Sequence, residues 1–310
     1  MTANYFADKK RCATPLLSTC FCIIIFIIAI YYGGALKSGA VYGLKICFLN
    51  IIPTLFPFFI LSDLWSSAVS FPENTVFSSI IKKAFNISAE GVSAILVGTL
   101  CGFPLGAKTA TEKWKKRLIG NSELENLSTL CNNPSPAFII SGVGAGLLGD
   151  INVGLALYFS TIASAIIVGL IFKEKETKDP IYKEKTEQSF NLINSIKNAG
   201  TSSITVASYI IFFSSIIGLC REFCGNPALI PVISSFLEIG SSCSIIAENQ
   251  NALGIFYLPL LSFTLSFSGL SVFLQIFSIL PPFVSKRKYI AKKLLQGAIS
   301  ALLTFLILCI

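Results

Sequence analysis

The sequence predicts an all-α integral membrane protein, with about seven spans plus two re-entrant hairpins arranged as an inverted repeat. Three observations carry that expectation. Hydrophobic residues make up 53% of the 310 and charged residues only 13%, about half the charged share that a water-exposed surface needs. Apolar runs able to cross a hydrocarbon core recur along the whole chain. Some of these runs hold helix-breaking or polar residues at their centres. A water-soluble globule, a disordered chain and a nucleic-acid-binding domain do not fit this composition, despite a net charge of +8.

The apolar runs lie near 16–33, 41–69, 92–108, 128–148, 152–172, 203–219, 227–247, 253–280 and 290–310. The first follows Lys9, Lys10 and Arg11 and reads as an N-terminal anchor span within 1–40; a cleaved signal peptide carries the same charge signature. Basic clusters at Lys82-Lys83, Lys113 to Arg117, Lys173 to Lys185 and Lys286 to Lys293 favour the cytoplasmic face. The first two flank the single run 92–108, so they share a face only if that run dips in and returns. Cys101-Gly102-Phe103-Pro104-Leu105-Gly106 at its centre permits such a reversal. The same treatment of 227–247, around Gly240, leaves seven crossing runs, the amino terminus inside and the carboxyl terminus outside. Of 24 Lys and Arg, 20 then lie on the cytoplasmic side. The exceptions are Lys37, Lys45, Lys108 and Arg221.

Residues 41–172 and 190–310 then read alike: long span, dip, interrupted span, span. A charged linker, 173–189, joins them. Lys45, Asn50, Pro53 and Pro57 punctuate the first long span, and Lys197, Ser202 and Ser203 the second. The dips hold Gly102 and Gly240, and the interrupted spans hold Asn132-Asn133-Pro134-Ser135 and Ser266-Phe267-Ser268-Gly269. An odd number of crossings per half makes the halves opposite in orientation, which is the architecture of secondary transporters. Chance likeness between apolar segments is the competing account.

Backbone that leaves the helix at membrane depth must line a cavity or be buried in protein. Two segments meet that condition. The first runs from Gly102 through Pro104, Gly106 and Lys108 to Thr109. The second is Asn132-Asn133-Pro134-Ser135-Pro136, followed by Gly142, Gly144, Gly146 and Gly149. A half-helix starting at Pro136 would offer free amides and a positive dipole end to an anion, with Asn132, Asn133 and Ser135 adding side-chain groups. A kinked span satisfying its own backbone is the bland alternative. Lys108 either binds an acidic solute or snorkels to the boundary beside Thr109. Ser268 marks the corresponding interruption in the second half. Glu238 stands among apolar residues in the second dip, where a carboxyl can exchange a proton or hold Na⁺. Asp63 reads as interfacial, and Asp150 and Glu248 as water-facing. The chain holds no His, which removes Ser-His-Asp catalysis and His-ligated metal. The ten Cys include no CxxC pair, so they read as packing residues, with a Cys220–Cys224 disulfide left open. Neither a catalytic nor a metal site is expected, and no cofactor.

On these motifs the chain is recognisable. Gly102-Phe103-Pro104-Leu105-Gly106-Ala107-Lys108 resembles the G-[YF]-P-[LM]-G-A-K signature of the YlbJ-type sporulation integral membrane proteins. Asn132-Asn133-Pro134-Ser135-Pro136-Ala137-Phe138-Ile139-Ile140-Ser141-Gly142 resembles their N-N-x-[SG]-P-x-F-I-I-x-[AG] segment, and Phe236-Leu237-Glu238 their second-half acidic motif. After Glu238 the sequence departs from the usual small-residue pattern. The resemblance implies membership of the wider nucleoside-recognition, or gate, membrane families. It also implies movement of dipicolinate across the outer forespore membrane of an endospore-forming bacterium. The expected partners are therefore a small anionic solute and the bilayer. A nucleoside or nucleobase, or another small organic anion, is the alternative cargo.

Overall fold

The computed structural model describes residues 19–20, 22–68, 75–173 and 191–308, without the side chains of 65–68 and 77. The expected anchor before residue 19 and nearly all of the charged linker lie outside the described residues. Helix α1 (Cys22–Tyr31) is followed by α2 (Gly33–Ile46), which runs through a π turn (Cys47–Ile51) into α3 (Ile52–Ala68). Pro53 and Pro57 each remove a backbone donor, and the coil widens just ahead of them. Helix α4 (Val76–Phe85) is capped by Thr75, whose hydroxyl accepts from Ser78 N, and ends at left-handed Asn86. It meets α5 (Ala89–Cys101) at a bend of 91°. Ser88 caps α5 and is itself held by Glu123, which accepts from its amide at 2.8 Å and its hydroxyl at 2.7 Å.

After a break at Gly102-Phe103-Pro104 the chain continues as α6 (Leu105–Lys115), packed back against α5. Helix α7 (Asn121–Leu130) stops before Asn132-Asn133-Pro134, and a π segment (Ala137–Leu148) resumes until left-handed Gly149. Asp150 then caps α8 (Ile151–Ile171). The remainder is α9 (Leu192–Phe223), capped by Asn191; α10 (Ile230–Leu237) and α11 (Ile239–Glu248), broken at Glu238; α12 (Gln250–Leu253); α13 (Tyr257–Phe267) and α14 (Gly269–Ile279), broken at Ser268; and α15 (Lys286–Leu308). No strand occurs among the described residues.

Helix α2 and α3 pack along α9, and α8 packs along α15 with α13 beside it. Phe26, Leu49, Phe159 and Ile204 project from α1, the π turn, α8 and α9 into the surroundings, an outer surface suited to acyl chains rather than water. Inside, hydroxyls are set among the apolar core residues. Ser262 joins Ser300 at 2.8 Å and Thr304 at 2.7 Å, Thr264 reaches Ser235 at 2.8 Å, and Ser266 reaches Thr161 at 3.3 Å. These hydroxyls tie α13 to α15, α10 and α8 without leaving a polar group facing lipid.

Five described helices are long and apolar enough to cross a membrane, and a sixth if the bent α4–α5 pair counts as one. Seven were expected. The difference has two sources. The run 16–33 yields only Cys22–Tyr31 within the described residues, and the run 128–148 is split at Cys131–Pro136 into pieces each too short alone. The expected basic loop at Lys286 to Lys293 is instead the first two turns of α15. The eight described cysteines are all free thiols, so Cys220 and Cys224 form no disulfide.

The α5–α6 pair sits directly over the end of α7. A side chain at Gly98 or Gly106 would run into the Cys131 carbonyl. Gly98→Val and Gly106→Val are each expected to lower stability by about 2 kcal/mol, because the backbone contact cannot yield. Thermal unfolding in detergent measures this, with Gly142→Ala, whose added Cβ has no neighbour nearer than 3.8 Å, as the unchanged control.

Candidate functional site

The helix breaks converge. A cavity with about 430 Å³ of atom-free space, part of it continuous with the surroundings, lies between them. Gly102 and Phe103 from the first break, Pro134 and Ser135 from the second, and Glu238 from the third line it, with Ser271 and Gln275 from α14. Apolar side chains of the π turn, α3 and α9, among them Ile51, Leu55 and Ile210, complete the wall.

Each break is held by named groups. Gly102 adopts φ 82° and a Cβ there would lie 2.8 Å from Ser135 N, so only glycine permits the turn at this separation. Phe103 N donates to the Asn133 carbonyl at 3.1 Å, which joins the first break to the second. At the second break Asn132 Oδ1 accepts from Ala107 N at 3.1 Å, and its amide donates to Ser128 O at 2.5 Å. Asn133 donates to Leu130 O at 2.8 Å. Ser135 Oγ accepts from Phe138 N at 3.2 Å and so caps the π segment. The polar side chains at the second break thus serve the backbone first, and Ser135 takes up one of the amides expected for an anion.

The second break also binds a charge that the sequence reading missed. Lys293, wholly buried on α15, donates to Asn132 O at 2.9 Å, Gln296 Oε1 at 2.9 Å and, at 3.4 Å, Asn133 Oδ1. Gln296 closes the set by donating to Asn133 Oδ1 at 2.8 Å. None of these acceptors is a carboxylate. The amine therefore stands at the carbonyl end of α7, where the helix dipole is negative and a positive charge on it meets neutral oxygens only.

At the third break Glu238 is also wholly buried. Its carboxylate accepts from Gly240 N at 2.8 Å and Ser241 N at 2.5 Å, capping α11 at its positive end. Its carbonyl accepts from the Ser242 hydroxyl. Gly269 at the start of α14 lies against this break, since a Cβ there would stand 3.1 Å from the Leu237 carbonyl.

Of the residues anticipated from sequence, Gly102, Ser135 and Glu238 line the cavity, and Asn132 and Asn133 support it from behind. Pro104 precedes α6, Gly106 packs on Cys131, and Thr109 is buried further along α6. Ser268 turns the chain between α13 and α14 at φ 74°, its hydroxyl donating to Leu265 O at 3.3 Å. Pro104, Gly106, Thr109 and Ser268 do not reach the cavity. Neither does Lys108: its side chain is 35% exposed and lies 3.6 Å from Asp63, which Asn198 also reaches at 3.2 Å. The buried cation of this site is Lys293 instead. Its signal was a stripe of spacing three to four along α15, through Tyr289, Lys293, Gln296, Ser300 and Thr304, all buried. Asp150 and Glu248 are exposed, as expected.

A bundle of apolar helices with an apolar outer surface, hydroxyls bonded to one another inside and helix breaks gathered on one cavity is an integral membrane protein. The chain is 24% identical, over 337 aligned positions covering 94% of it and 82% of the relative, to the sporulation integral membrane protein YlbJ of Bacillus subtilis (strain 168). The resemblance to YlbJ-type proteins read from the motifs thus extends over nearly the whole chain, and it supports a membrane role in sporulation. No protein-family model matches the chain, and no solved structure matches it.

Lys293→Ala and Asn133→Ala are each expected to destabilise the protein by about 3 kcal/mol, because each strands buried polar partners. Lys108→Ala, at a part-exposed ion pair, is expected to cost less than about 1 kcal/mol. Denaturant titration in detergent measures all three, and equal losses at Lys108 and Lys293 would contradict the assignment.

Proposed function

We propose that this protein is a transporter that moves a small aromatic dicarboxylate, dipicolinate, across the outer forespore membrane during sporulation. The observation that carries the transport reading is the meeting of three helix breaks at one cavity. Interrupted helices at membrane depth must line a cavity or be buried in protein, and here they line a cavity, which is where transporters bind their cargo. On this reading residues 41–172 and 190–310 form an inverted repeat. Its support is the shared order of elements, a long helix, a broken pair, a helix interrupted and resumed, and a last helix. The packing of α3 on α9 and of α8 on α15 supports it too, each helix lying beside its counterpart.

The α5–α6 and α10–α11 pairs are then re-entrant hairpins, and rocking one half against the other would expose the cavity alternately to each side. The cargo follows from the relative's role in sporulation and from the motif resemblance. The positive charge of Lys293, held by neutral oxygens behind Asn133 and Ser135, favours an anion at the second break. The apolar wall suits a flat ring. Glu238 is the coupling acid on this reading, since its negative charge opposes an anion unless it is neutralised. No enzymatic step is proposed.

One observation favours a second reading, in which the cargo is a neutral nucleoside or nucleobase: the charged side chain that lines the cavity directly is Glu238, an acceptor for hydroxyl or ring N–H donors.

Purified protein in proteoliposomes is expected to take up labelled dipicolinate but not uridine. Ser135→Phe, which fills the cavity, should reduce uptake at least about tenfold, whereas Lys108→Ala should keep more than about half, as befits a charge outside the cavity. Uridine uptake without dipicolinate uptake would replace the first cargo with the second. Spores of a deletion strain with normal dipicolinate content would remove the dipicolinate assignment.

A further inference from the structure

Two residues that line the cavity carry oxygen atoms without a hydrogen-bond partner. Ser271 Oγ and Gln275 Oε1 lie one helical turn apart on α14, 1% and 3% exposed, and no hydrogen-bond partner reaches either atom. Buried polar atoms without partners are rare and point to a missing ligand. Both residues line the same cavity as the Glu238 carboxylate, and Gly269 presses the start of their helix against the Leu237–Glu238 backbone.

Charge points the same way. Among the described residues no Lys or Arg forms an ion pair with Glu238. Two amides and the positive end of α11 offset part of its charge, and a buried carboxylate needs more than that. A proton would neutralise the carboxylate, but it could serve both oxygens of α14 only through a relay in which the Ser271 hydroxyl passes its own hydrogen to Gln275 Oε1. A hard cation takes several oxygen ligands at once. One carboxylate with neutral oxygens suits a single positive charge rather than Ca²⁺ or Mg²⁺, which recruit additional carboxylates or phosphates. No group of three His, Cys, Asp or Glu able to hold a metal occurs among the described residues, which argues against a transition metal. The room open to a water-sized guest is about 30 Å³, enough for a small ion with little of its hydration shell.

We infer that Glu238, Ser271 and Gln275 form a sodium site in the cavity that Ser135 also lines. Bound sodium turns a repelling carboxylate into a neutral wall, so an anion entering beside it meets the field of Lys293 unopposed. Ion and cargo would then bind with positive cooperativity. The inference rests on the transport reading for the cavity being a working site, and not on which cargo it takes.

Equilibrium binding of radiolabelled sodium to the purified full chain in nanodiscs, without cargo, tests it. Saturable binding of one ion per chain is expected, with choline unable to compete. The double variant Ser271→Ala, Gln275→Leu should weaken it at least about tenfold, while circular dichroism confirms that the helices remain. Wild-type protein that shows no saturable sodium binding above a choline control overturns the inference. So does a folded double variant that binds as tightly as wild type. Sodium binding without dipicolinate uptake upholds this site and removes that cargo; uptake driven by a pH gradient with no sodium binding does the reverse.

Discussion

A helix that stops inside a protein bundle leaves carbonyls at one end and amides at the next, and water is not there to take them. This protein meets that constraint differently at each break, with side chains from a distant helix, a backbone amide of another break, or a cap from the break itself. Lys293 comes from α15 to the end of α7, where it takes the Asn132 carbonyl and is braced by Gln296 and Asn133. Phe103 N crosses from the first break to the Asn133 carbonyl. Glu238 turns back on the first amides of its own helix. The breaks that line the cavity are fixed in place by these closures.

Two opposite charges are thus buried without being paired to each other. Each stands at the helix end whose dipole complements it, the ammonium at carbonyls and the carboxylate at amides, an arrangement worth up to about 2 kcal/mol in partly buried sites. Dehydrating each charge costs several kcal/mol, so the dipole and hydrogen bonds leave a deficit that apolar residues would not create. That deficit ties the charges to function more than to stability, and it makes the breaks sensitive to any charged species that enters the cavity.

The breaks themselves were legible in the sequence, because glycine and proline change what the backbone can do wherever they fall. Gly102, Pro104 and Pro134 marked two of them, and Glu238 drew attention as a charge among Phe236, Leu237 and Ile239. Lys293 was hidden by its neighbours. Following Lys286, Arg287, Lys288 and Lys292, it reads as the end of a basic loop, and only the helical spacing to Gln296 and Ser300 separates it from them. Lys108 is the opposite case: it stands alone among apolar residues in the sequence, and α6 places it beside Asp63. Ser271 and Gln275 gave no signal, since neutral polar residues in an apolar helix are commonplace and their importance lies in lacking partners.

Composition and the placing of helix breakers determined, without coordinates, that the chain lives in a membrane and where its helices yield, because transfer to hydrocarbon and backbone geometry act residue by residue. Which ionisable side chains are buried beside the helix breaks was settled only by tertiary structure. That outcome depends on how α15 and α6 are rotated and against what they pack, and such rotation is fixed by contacts between residues as far apart in sequence as Asn133 and Gln296.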